Sequence, residues 1–243
     1  MIKILKRKWV KAMNGEILIS ADKVKRKKKI IKIARILLLI LMLILLISYI
    51  VVGVVYSSGS FTISLDQNLY FERGIIIYDD PDYKVYRSEL YARTVDSFDN
   101  ITYRWLPNDL HEHRGGSHNG DNYVAYTFFV ENTGDKVADY WVEVVIDDAI
   151  NNVDEAVRIR IYRNSEYVTY AKLGRNGRPE IDTTPFLSDT LIALDHVENF
   201  KPGDIDKYTV VIWLEGKDPE CNDNILGGEI KIHMAFNSEY VEK

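Results

Sequence analysis

Twenty-one consecutive residues, Ile36 to Tyr56 (ILLLILMLILLISYIVVGVVY), carry no charged side chain. At ~1.5 Å per residue such a run makes a helix of roughly 31 Å, which matches the hydrocarbon thickness of a bilayer. A helix at the surface of a soluble domain keeps a polar stripe, whereas this run is apolar on every side. It therefore reads as a membrane span, and the chain on either side must fold separately. A cleaved signal peptide has a shorter apolar stretch, ~7–15 residues, followed by an A-x-A-like site. No such site follows Tyr56, although Ser57-Ser58-Gly59-Ser60 offers small residues to a peptidase, and the expectation is a retained anchor.

The formal net charge of −5 conceals a division across that span. Residues 1–35 hold 13 of the 31 Lys and Arg and only Glu16 and Asp22 of the 36 acids, which gives +11. The residues beyond Tyr56 hold the remaining 18 basic and 34 acidic side chains, which gives −16. Basic residues abutting a span stay in the cytoplasm. The expected organisation is a basic cytoplasmic segment at 1–35, a transmembrane helix at 36–56 and an extracellular domain at 57–243. Within the first segment, Ile2, Leu5, Trp9 and Met13 share a helical face ringed by lysines, a pattern suited to the headgroups of an anionic membrane. Next to a span, residues 1–35 are read as lipid contact and topology signal, with no nucleic-acid partner. Cys221 is the sole cysteine, so the chain forms no intramolecular disulfide and depends on packing.

Beyond the span the apolar period changes to alternation, the mark of half-buried strands. Phe61, Ile63 and Leu65 fall on one side of Ser60–Leu65, and Tyr140, Val142, Val144 and Ile146 on one side of the stretch from Ala138. In AVRIRIY, Val157, Ile159 and Ile161 are expected inward, with Arg158 and Arg160 toward water. The turn Arg163-Asn164-Ser165-Glu166 leads to a partner strand from Tyr167. Strands are also expected at Asn122–Val130, Lys207–Glu215 and Gly228–Phe236, and one helix around Ser188–Glu198. Short strands separated by Gly, Pro, Asn and Asp turns, with no βα alternation, indicate an all-β fold. The expected fold is an antiparallel β-sandwich, jelly-roll-like, preceded by a single transmembrane helix.

Tyr208–Phe236 (YTVVIWLEGKDPECNDNILGGEIKIHMAF) resembles the C-terminal stretch of Firmicutes cell-surface proteins of the TasA/camelysin group. Gly116–Asp135 and Val153–Asn164 resemble the body of the same proteins. The resemblance implies a jelly-roll surface domain, with relatives that build extracellular matrix fibres and one described as a casein-cleaving metalloprotease. This chain differs from the group in its long basic head and uncleaved anchor.

Hydrolytic motifs are missing: there is no H-E-x-x-H, no G-x-S-x-G and no Gly-rich phosphate loop. The one cluster with metal-ligand character is His111-Glu112-His113 followed by His118 and Asp121. His-x-His on a strand would aim both imidazoles at one face, and His118 with Asp121 would complete a Zn²⁺ shell. An exposed Gly-rich loop explains the same residues and is the preferred reading. Asp79-Asp80-Pro81-Asp82 and Asp218–Asn224 offer oxygen ligands for Ca²⁺, and turn chemistry explains them equally well. Glu215 and Asp218 are expected to be solvated at a strand end. Trp105, Trp141 and Trp213 suit either sugar stacking or a core, with the core preferred.

These features point to a non-catalytic, membrane-anchored surface protein that binds the envelope, matrix or other surface proteins. Self-association by strand addition through Ser60–Gln67 is one route. An accessory or sensor subunit of a membrane complex is the alternative, and a metal-dependent surface hydrolase is less favoured.

Overall fold

The structure, a computed structural model, describes residues 24–50, 59–93, 95 and 99–239 and comprises two compact units, Met1–Ser57 and Ser58–Lys243. The amphipathic face at 1–13 and the far end of the expected span, 51–56, lie outside the described residues. In the first unit, helix α1 (Val24–Ile50, 27 residues) is long and apolar enough to cross a membrane, and its side chains are exposed throughout. The helix takes in Lys25 to Arg35, so the basic stretch and the apolar run are one continuous element. Lys25/Lys29 and Lys28/Lys32 are like-charged pairs four residues apart, a spacing that weakens an isolated helix in water.

The second unit is mostly β, and its twelve described strands form two sheets. The first sheet has the order β10 (Leu191–Phe200), β6 (Ala138–Ala149), β12 (Ile230–Asn237), β1 (Ser60–Leu65), β3 (Glu89–Tyr91). The second runs β2 (Ile75–Tyr78), β5 (Val124–Asn132), β11 (Ile205–Leu214), β7 (Val157–Arg163), β8 (Glu166–Ala171), β9 (Thr184–Pro185), with β4 (Gly116–Ser117) also on β5. Both sheets are mixed, which corrects the expectation of purely antiparallel pairing. β1 lies parallel to β12 over Ser60–Leu65, and β8 parallel to β9. Parallel neighbours need a long connection. Here the domain between β1 and β12 is itself that connection.

The alternation read from the sequence survives in most strands: β1 buries Phe61, Ile63 and Leu65, and β6 buries every second residue from Ala138 to Ile146. The buried faces of the two sheets meet in one core. Phe236 of β12 touches Phe128 of β5 at 5.7 Å and Tyr208 of β11 at 5.4 Å between ring centroids. Fully burying a side chain of this size contributes ~1.5–3 kcal/mol. The β5–β6 turn is fixed by the buried Asn132, whose amide donates to Lys136 O and Phe200 O at 2.9 and 2.8 Å and accepts from Gly134 N.

Two local expectations are overturned. Ser188–Glu198 contains no helix, because Leu191–Phe200 is edge strand β10. Register shifts between Leu191 and Ala193 and between Val197 and Phe200 break the period of two, so Ile192 and Ala193 are both buried and the sequence mimics a helical face. The helix in this unit is instead α2 (Gln67–Arg73), started by the Asp66 side chain on Asn68 N and ended by Gly74 at φ 72°. A Cβ at Gly74 would also lie 2.5 Å from Gly134 Cα, so only glycine fits. Ser60–Leu65 pairs within its own sheet, between β12 and β3. Lastly, Arg158 does not face water: it is 3% exposed, because Glu180 and the turn carrying Asp218 lie over it, while residues 99–123 cover the neighbouring part of the second sheet's outer face around Trp213.

Candidate functional site

Three groups of polar side chains invite a functional reading. The first is the histidine loop. Leu110–Glu112 is a 3-10 turn, not a strand, so His111 and His113 do not share a strand face. His111 stacks on Tyr162 of β7 at 5.2 Å and helps hold the covering segment down. His113 stacks on His118 at 4.0 Å with ring planes 7° apart. An imidazole binds a metal through an in-plane lone pair at ~2.0–2.1 Å, and lone pairs in parallel, stacked planes do not converge on one ion. His118 Nδ1 lies 3.0 Å from Gly116 O, and burial, partly offset by that contact and reinforced by the adjacent His113, holds its pKa below the ordinary value. Asp121 follows in the turn before β5, and no trio drawn from these four residues converges among the described residues.

Instead, Glu180, Asp218 and Glu220 bring carboxylate oxygens within 4.8 Å of one another. Arg158 supplies the positive charge there, 2.5 Å from Asp218 Oδ2 and 3.4 Å from Glu180. Burial, together with Asp218 and against Arg158, raises the Glu180 carboxyl pKa, and burial likewise raises the Cys221 thiol. Glu215 is 7% exposed and accepts from Trp213 Nε1 and Tyr103 N. Glu215 and Asp218 are therefore not solvated: they clamp the covering segment and the turns onto the second sheet. Trp213, 1% exposed, is core beneath that segment, whereas Trp105 is exposed and Trp141 stacks on His196 of β10 at 4.1 Å. The Asp79–Asp82 turn is likewise engaged by protein groups: Tyr126 donates to Asp79, Asp82 N to Asp80, and Arg114 pairs with Asp82.

The third group lines a cleft of about 460 Å³ between the sheets, where the inner faces of β8 and β10 stand across from each other at the sheet margins. Val142, Val144, Ala193 and Met234 of the first sheet form one wall, and Ile161, Val168 and Tyr170 of the second form the other. Val168 pairs with Ile161 and so belongs to the inner face, yet it is 41% exposed. Val168 lies at the margin of its sheet, since β9 pairs only with Tyr170 and Ala171, and β10 across the cleft is an edge strand too.

A buried network closes the polar end. Asp206 accepts from Tyr140 OH at 2.5 Å, Arg163 Nε at 3.1 Å and Asn164 Nδ2 at 2.9 Å, and the Tyr140 and Tyr208 hydroxyls lie 3.1 Å apart. Burial first, then the neighbouring Tyr208 and Asp206, pushes the Tyr140 hydroxyl pKa far above its ordinary value, so it stays a donor. Sequence reasoning missed this cleft. Alternation places Val168 and Tyr170 inward but carries no information about where the opposing sheet stops. In volume the cleft falls within the ~300–1,000 Å³ of ligand pockets, with mostly apolar walls and a few convergent polar groups.

Compared with known proteins, the chain matches no family model, no curated protein and no solved structure.

Proposed function

We propose that this chain is a single-pass, membrane-anchored bacterial cell-surface protein with its N-terminus in the cytoplasm. Its C-terminal domain is read as an extracellular, jelly-roll-like β-sandwich of the TasA/camelysin type that binds rather than catalyses. The observation that carries the reading is α1: its residues Ile36–Ile50 are uncharged and exposed, and seven Lys and Arg between Lys25 and Arg35 precede them on the same helix. Anionic headgroups would relieve the repulsion among those cations, and their density beside the apolar run favours a cytoplasmic start. The non-catalytic reading is supported by the stacked, non-convergent histidines and by carboxylates already engaged with Arg158, Trp213 and backbone N–H groups. Binding to envelope, matrix or other surface proteins uses the external domain. With β1 paired at home, self-association by strand addition requires another segment or an exchange of β1.

Topology is tested with single-cysteine chains in a Cys221→Ser background, labelled in intact cells by a membrane-impermeant maleimide. Lys201→Cys, on an exposed turn, is labelled from outside, and Lys25→Cys only after permeabilisation. The reverse pattern overturns the orientation. Affinity capture of the tagged chain from membranes then separates a surface-binding role from an accessory subunit: co-purification of a stoichiometric membrane complex favours the latter.

A further inference from the structure

Two carboxylates, Asp195 and Glu166, line the cleft, Asp195 also accepting from His196 N at 2.9 Å. Asp195 lies opposite Val142 on edge strand β10, and Glu166 opposite Arg163 on β8. Both therefore belong to the inner faces, which are otherwise mostly apolar apart from Asp206 and Arg163, and both line the cleft. An inward-pointing charge on an edge strand guards against sheet extension, which accounts for Asp195 taken alone. The same holds for Glu166, since β9 pairs only with Tyr170 and Ala171 of β8, but edge protection does not account for the unfilled apolar space beside both. Arg163, the cation at this end, is committed to the buried Asp206 at 3.0 Å. It reaches Asp195 only at 3.8 Å, beyond hydrogen-bonding length, with the two side chains 38% and 60% exposed. An exposed pair of that kind contributes ~0–1 kcal/mol, so a competing cation can take Asp195 at little cost. Arg163 set against Asp206, Asp195 and Glu166 leaves an acidic surplus at the entrance to an apolar slot.

We propose that the cleft binds a small cationic amphiphile, its apolar body between the facing walls of the two sheets and its ammonium-type head held by Asp195 and Glu166. An anionic amphiphile of the same length meets two carboxylates at the entrance and is rejected. The inference rests on the reading of this domain as a binding module and names the class of its ligand.

The probe is octylammonium, titrated calorimetrically into the full chain in lipid nanodiscs, with empty nanodiscs as the baseline and octanoate as the charge-reversed control. One saturable site per chain is expected for octylammonium and none for octanoate. Asp195→Asn and Glu166→Gln each weaken binding about threefold to fivefold. Val168→Trp, which fills the slot from one wall, abolishes it, and Ala193→Leu does so from the other, with retained melting transitions showing that the domain is folded. Exposed Tyr83, remote from the cleft, serves as control: Tyr83→Ala leaves binding unchanged. No saturable heat above empty discs, octanoate binding as tight as octylammonium, or binding indifferent to both filling variants overturns the proposal. A chain labelled from outside at Lys201→Cys that takes up no octylammonium loses this inference and keeps the surface reading.

Discussion

Around Phe236 the space between the sheets is filled, with the ring in contact with Phe128, Tyr140 and Tyr208, all at most 2% exposed. At the β8–β10 side the same inner faces run on, yet Val168 is 41% exposed and Asp195 and Glu166 occupy inner positions. The strands differ little in composition. What differs is position: Phe236 sits on the central strand of its sheet, whereas β8 and β10 lie at the sheet margins with the cleft between them. The closed side therefore holds the fold together, and the open side is free to carry a ligand.

The largest effect expected from this contrast is on the closed side. Phe236→Ala costs about 3–5 kcal/mol, because the surrounding rings cannot collapse into the space, whereas Val168→Ala on the open side costs less than about 1 kcal/mol. Chemical denaturation of the full chain measures both, and similar losses would break the contrast. Next comes the covered outer face of the second sheet. Asp218→Ala leaves Arg158 with Glu180 alone at 3.4 Å and costs about 3 kcal/mol, read from the same denaturation curves. At the junction of the filled and open sides, Tyr140→Phe removes a donor from buried Asp206 and costs about 1–2 kcal/mol, read from the same denaturation curves. Ala193→Leu, which adds volume to the open side, is neutral or stabilising by up to about 1 kcal/mol, whereas an equal enlargement at the closed side would overpack.

The smallest effect concerns the histidine stack on the outer face. The His118 pKa is held below 6.5 in the folded chain, so below that pH the unfolded chain takes up a proton that the folded chain resists. Stability falls as pH drops from about 6.5, the unperturbed histidine value, toward the depressed folded value. Melts between pH 7.5 and 5 detect the fall, and His118→Asn flattens it. An unchanged slope in that variant assigns the fall to other groups.

Much of the strand pattern was legible because burial on one face imposes a period of two, and β1, β6, β7, β8 and β12 fall where alternation places them. The β7–β8 turn was legible because Asn164 tolerates the positive φ of 58° that it adopts. β10 was not, since its two register shifts erase the period that would have revealed it. Arg158 was misread because alternation distinguishes two faces of a strand but not whether a distant segment covers one of them. The parallel β1–β12 pairing was hidden for a similar reason: it joins residues about 170 apart in the chain. The cleft was invisible because it depends on which strands face each other at the sheet margins, which no single strand records.

The parallel pairing of β1 and β12 has a mechanical consequence. The chain enters the domain at the start of β1 and leaves it after β12, and across six matched positions these strands run the same way. Tension applied at the start of β1 and the end of β12 therefore pulls the two strands past each other along their length. Their hydrogen bonds bear that load together and cannot open one at a time, so this pairing resists a pull along the strands.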